Sequence, residues 1–121
     1  MLPDEADAVP KPTGLTPASF LEFVNAHRFA LVHFGAAWNG YDTRMAEIIE
    51  LQIPNDLSDK IAFATFDVDQ AGHGEICLEH KIRNIPFLAF YRNGFLIRSN
   101  TGPLAPDTLI EYLKQLLNPQ S

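Results

Sequence analysis

Asn39 and Asp42 stand three residues apart in Trp38-Asn39-Gly40-Tyr41-Asp42, between a continuous apolar run and a segment with helical spacing. Asparagine is a favoured helix N-cap, and an acid in the first turn complements the positive end of the helix dipole, so the pair reads first as a cap and turn. The same side chains could instead form a polar catalytic pair or touch a ligand; the spacing leaves those readings open. His33, inside the apolar run, is expected to be a core imidazole held by a hydrogen bond, with pH sensing as the alternative. His33, Asp42, His73, Cys77 and His80 are the candidate metal ligands. No spacing among them matches a zinc site, and His73 to Cys77 at i, i+4 is one isolated pair, so no metal or other cofactor is expected. Cys77 is the one cysteine and cannot close an intramolecular disulfide. It is expected to be an inert thiol on the apolar side of a short helix, since monothiol chemistry needs an exposed, acidic group.

These residues must be positioned by the segments around them. Phe29 to Ala37 is rich in β-branched and aromatic residues and predicts a buried strand, while Met45, Ile48 and Ile49 predict one apolar face of a helix from Asp42 to Gln52. A strand therefore turns at Asn39-Gly40 into a helix, which Pro54 brings to an end. Upstream, Thr16-Pro17 is a helix start whose Phe20, Phe23 and Val24 share a face. Downstream come a strand from Ile61 to Asp69 and a short helix from Glu75 to His80. A hairpin follows, with Asn93-Gly94 between Phe87–Tyr91 and Phe95–Ser99. A last helix from Pro106-Asp107 buries Leu109, Ile110, Leu113, Leu116 and Leu117 and stops at Asn118-Pro119. Parallel strands with crossovers, closed by a hairpin, predict an α/β sandwich.

At 121 residues the chain is long enough for one domain with a single core. Residues 1–14 carry three prolines and three acids with few large apolar groups, and are expected to form a flexible N-terminal tail before a domain at 15–121. Nine basic against fifteen acidic residues give a net charge of −6 without a basic cluster, which argues against a nucleic-acid partner. No segment has membrane or signal-peptide length, so neither a membrane nor export is expected and the default location is the cytoplasm.

The strand, the Trp38-Asn39-Gly40-Tyr41-Asp42 turn, the helix after it and the later Asn84-Ile85-Pro86-Phe87 run into a hairpin together resemble the thioredoxin family, over about residues 15 to 117. The resemblance implies a three-layer α/β sandwich, with a mixed central sheet of four strands, room for a fifth, and four flanking helices. Thioredoxins usually begin with an edge strand; Val9-Pro10-Lys11-Pro12 has too few backbone donors for a good one, so it is expected to be short or absent. Where the family carries Trp-Cys-Gly-Pro-Cys, this chain carries asparagine and aspartate in place of both cysteines, and thiol–disulfide exchange there is chemically impossible. His33 and Thr65 stand where the family keeps a buried acid and a lysine. Ile85-Pro86 resembles the family's cis-proline loop, which implies a peptide groove lined by Trp38, Tyr41, Ile85, Pro86 and Gly102. Phe87 and Tyr41 would make that groove more aromatic and partly fill it. The reading that follows is a redox-inactive module, a monomer, that binds a protein or extended peptide as a chaperone, assembly factor or regulatory partner. The alternatives are a glutathione- or small-ligand-binding enzyme of the superfamily, or a monothiol redox protein using Cys77.

Overall fold

A computed structural model describes residues 12–70 and 72–118. In chain order the elements are β1 (Thr13–Leu15), α1 (Pro17–Ala26), β2 (Phe29–Gly35), α2 (Gly40–Leu51), α3 (Asn55–Ser58), β3 (Ala62–Asp67), α4 (Gly74–Glu79), β4 (Phe87–Arg92), β5 (Phe95–Thr101) and α5 (Pro106–Leu117). The five strands form one sheet in the order β1-β3-β2-β4-β5. Strands β1, β3 and β2 run parallel, β4 is antiparallel to β2, and β5 is antiparallel to β4.

The sheet is covered on both faces, which is why β2 and β4 read as unbroken apolar runs. Ala30, Val32 and Phe34 of β2 pack with Phe20 and Val24 of α1 and with Ile76 of α4. On the other face, Leu31 packs with Met45 and Ile48 of α2 and Leu109 and Leu113 of α5. By the two-residue period of a strand, His33 shares the Leu31 face, beside Leu88 in β4 and Thr65 in β3.

Local chemistry sets the element ends. The Thr16 hydroxyl accepts from the Ser19 amide while the Ser19 hydroxyl accepts from the Thr16 amide, a capping box reinforced by Pro17. Asn93 and Gly94 have φ of 53° and 84°, the left-handed pair that a two-residue hairpin requires.

The edge strand is present and short, three residues long, within the expectation of short or absent. Two features differ from the sequence expectation. Thr13 and Gly14 belong to that strand although composition assigned them to the tail; residues 1–11 of that tail lie outside the described residues. The ladder to β3, with Thr13 opposite Ala64 and Leu15 opposite Phe66, holds a segment whose own composition would not. The one-turn helix α3 was also not expected; it starts directly after Pro54 and buries Leu57. In α5, Leu109, Leu113 and Leu116 are fully buried, while Ile110 and Leu117 are only partly so. Among the described residues no helix is long and apolar enough to cross a membrane.

Candidate functional site

The end of β2 and the start of α2 place the candidate residues. Asn39 is the N-cap of α2, and its side-chain oxygen accepts the Tyr41 and Asp42 amides at 2.8 and 3.2 Å. Those are two of the donors that a helix start leaves without intrahelical partners.

Asp42 does not point outward as a capping charge. It is 4% exposed, its Oδ1 lies 2.8 Å from His33 Nε2, and its Oδ2 accepts the Ala36 amide at 3.2 Å. The hydrogen bond expected for a buried His33, itself 5% exposed, therefore comes from a residue nine positions later. Gly35 makes the approach possible: a Cβ there would lie 2.4 Å from Asp42 Oδ1 and 3.0 Å from His33 Nε2. An open cleft of about 410 Å³ borders the pair, with Thr65 and Asp67 of β3 on its wall.

The groove residues divide. Trp38 and Tyr41 are 72% and 64% exposed, and the Trp38 indole N–H donates to the Asp69 carboxylate. Trp38, Asn39 and Ile85 line one cleft of about 370 Å³ together with Cys77, Ile82 and Arg83. The Ile85-Pro86 bond is cis and the Pro86 ring is fully buried. Gly102, at φ +96°, donates its amide to the Pro86 carbonyl at 2.8 Å, so it braces the loop. Tyr41, Pro86 and Gly102 do not line the Trp38 cleft. Phe87 does not fill it either: it is 4% exposed and packs edge-on against Phe34, because the first residue of β4 faces α1 and α4.

The remaining titratable residues serve separate purposes. His73 is buried with Nδ1 2.7 Å from the Asp67 carbonyl. His80 places Nδ1 2.9 Å from the Ile76 carbonyl, so that nitrogen carries the proton and Nε2 accepts from the Tyr91 hydroxyl. Burial holds that phenol well above the ordinary tyrosine pKa. Among the described residues no three His, Cys, Asp or Glu side chains are grouped to hold a metal ion.

Cys77 is partly buried. Burial foremost, then the Asp69 carboxylate, raises its pKa above the ordinary thiol value, with a backbone hydrogen bond acting the other way. A raised pKa keeps the thiol protonated over a wider pH range, and the thiolate is the reactive form. At pH 8 iodoacetamide is expected to alkylate the folded protein several-fold more slowly than the urea-unfolded chain; equal rates would revive monothiol chemistry.

The sequence reading missed Gly35, Asp69 and the inward turn of Asp42. Only Gly35 left a signal, as the small residue that bounds the apolar run.

Known proteins share this fold. A family model described as thioredoxin matches residues 11–115. A Schizosaccharomyces pombe protein named as a disulfide-isomerase is 31% identical over 98 residues, which are 81% of this chain and 20% of that protein. The M-type chloroplastic thioredoxin of Spinacia oleracea is 29% identical over 115 residues, covering 94% of this chain and 62% of that one. The chain thus spans about a fifth of the first relative and under two thirds of the second. A mutant thioredoxin from Halobacterium salinarum matches in structure with a TM-score of 0.77 over 90% of this chain and 93% of its own, at 18% identity, a likeness of fold. The family match and the five-stranded mixed sheet agree, and the chain belongs to the thioredoxin family.

Proposed function

We propose that this is a redox-inactive thioredoxin-family protein that binds an extended segment of another protein beside the Ile85 loop. Trp38-Asn39-Gly40-Tyr41-Asp42 stands in place of the family's Trp-Cys-Gly-Pro-Cys. The chain's one cysteine, Cys77, lines the Trp38 cleft from α4 as a single thiol with a raised pKa, with no second thiol to resolve a mixed disulfide. The observation that carries the binding reading is the cleft between Trp38 and Ile85. Its floor at the helix start is Asn39 instead of a thiol, and no backbone hydrogen bond among the described residues involves Ile85. A free amide and carbonyl beside an exposed indole suit the addition of a strand, in which backbone bonds supply affinity and neighbouring pockets supply specificity. A relative named as a protein disulfide-isomerase supports a protein ligand over a small molecule.

Trp38 is the only tryptophan, so its emission reports on the cleft directly. Titration with carboxymethylated insulin B chain, an extended and tryptophan-free probe, is expected to shift that emission to the blue and saturate with a Kd on the order of 10 μM. Calorimetry should show the binding lost in Trp38→Ala. A flat titration would remove the binding reading. Reduction of insulin by dithiothreitol is expected to run no faster with the protein than without it, and measurable turnover would sink the redox-inactive reading.

A further inference from the structure

The cleft of about 410 Å³ beside His33 and Asp42 shares no lining residue with the Trp38 cleft, and it has a chemistry of its own. His33 uses only Nε2 within the protein. Its Nδ1 takes no partner, yet no enclosed polar side-chain atom among the described residues lacks one, so Nδ1 is reached from the cleft that His33 lines. In the neutral imidazole whose Nε2–H donates to the Asp42 carboxylate, Nδ1 is the acceptor nitrogen, and its lone pair faces the opening. Everything else polar on the wall accepts a hydrogen bond or can do so: the Thr65 and Thr43 hydroxyls and the Asp67 carboxylate. Ala36, Ala37, Ala46 and Phe66 supply the apolar part of the lining. No lysine or arginine among the described residues lines the cleft, so two carboxylates share it with no cationic side chain.

We propose that this cleft binds a primary ammonium group, with His33 Nδ1 as its hydrogen-bond acceptor and the Asp42 and Asp67 carboxylates as its counter-charges. A compact cation with three donors matches a site made of acceptors, and the apolar part of the lining suits the alkyl chain that carries it. The group could sit on a free alkylamine or on a lysine of a partner protein; the chemistry recognised is the same.

The test is an NMR titration of the full chain, isotopically labelled, with n-butylammonium at fixed pH and ionic strength, and n-butanol as the neutral isostere. The His33 imidazole nitrogens and the Thr65 and Asp67 amides are expected to shift and saturate with a Kd on the order of 1–10 mM, the range open to so few atoms. n-Butanol should leave them in place. Asp67→Asn, a change at an exposed residue that keeps the Asp69 amide's acceptor, is expected to weaken binding at least threefold without loss of fold. Absence of saturable shifts up to about 100 mM, an equal response to n-butanol, or an unchanged Kd in Asp67→Asn would overturn the site. A blocked Gly-Lys-Gly peptide, against its side-chain-acetylated form, separates the sources. Tighter binding than n-butylammonium identifies a partner's lysine, and weaker binding identifies a free amine.

Discussion

Replacing His33 with leucine is expected to lower the free energy of unfolding by roughly 3–5 kcal/mol, more than any other single change at the site. The variant leaves the Asp42 carboxylate buried with one donor, the Ala36 amide, and removes the imidazole that shares its proton. Asp42→Ala is expected to cost less, roughly 2–4 kcal/mol, because an abandoned imidazole can stay neutral while an abandoned carboxylate must be desolvated as an anion or take up a proton. Thermal unfolding should show His33→Leu melting on the order of 10 °C or more below the wild type. Combining the two changes restores an apolar contact without a stranded charge, so the double variant should lose at least about 1 kcal/mol less than the sum of the singles. Additive losses would mean that the two residues are neighbours and not a pair. Gly35→Ala should reproduce most of the Asp42→Ala loss, since a Cβ there must displace the Asp42 carboxylate, the closest atom at 2.4 Å.

That coupling also marks the boundary of what the residues disclose in one dimension. The strands β2 and β4 are legible because both faces of each are buried, and the hairpin is legible because Asn93-Gly94 can take two left-handed conformations cheaply. Thr16-Pro17 announces its helix for equally local reasons. β1 is legible only through the family resemblance, as an edge strand short or absent, because its three residues are held by a ladder to β3 that no local window contains. The site follows the same division. Asn39 caps α2 through the Tyr41 and Asp42 amides, two and three residues on, so its role can be read locally. An acid at the third helical position reads as a first-turn charge in solvent, and only the absence of a side chain at Gly35, on a different element, lets Asp42 turn inward to His33. Phe87 misleads for a related reason. Its place after Pro86 puts it beside the loop in sequence, while the pleat of β4 sends its ring to the opposite face.

Asn39→Cys combined with Asp42→Cys is expected to turn an inert chain into one that reduces insulin disulfides at least tenfold faster than the dithiothreitol background. The reason lies in what the helix start already offers. The Tyr41 and Asp42 amides that now donate to the Asn39 side chain would face a sulfur at position 39, and donors at a helix N-terminus stabilise a thiolate. A second sulfur three residues on supplies the resolving thiol that exchange requires. The double variant also leaves His33 without Asp42, so it should melt below the wild type by about the Asp42→Ala amount. Asn39→Cys alone keeps the His33–Asp42 pair and should attack a disulfide once, then stall as a mixed disulfide that mass spectrometry detects. The two outcomes divide the site into sulfur chemistry and peptide access. A turnover gained by the double variant requires that the protein substrate reach position 39 past Trp38 and Ile85, which is the access the binding proposal relies on. A double variant that folds, forms its own disulfide and still ignores insulin would locate the loss in that cleft, and the proposal of a peptide beside Ile85 would fall with it.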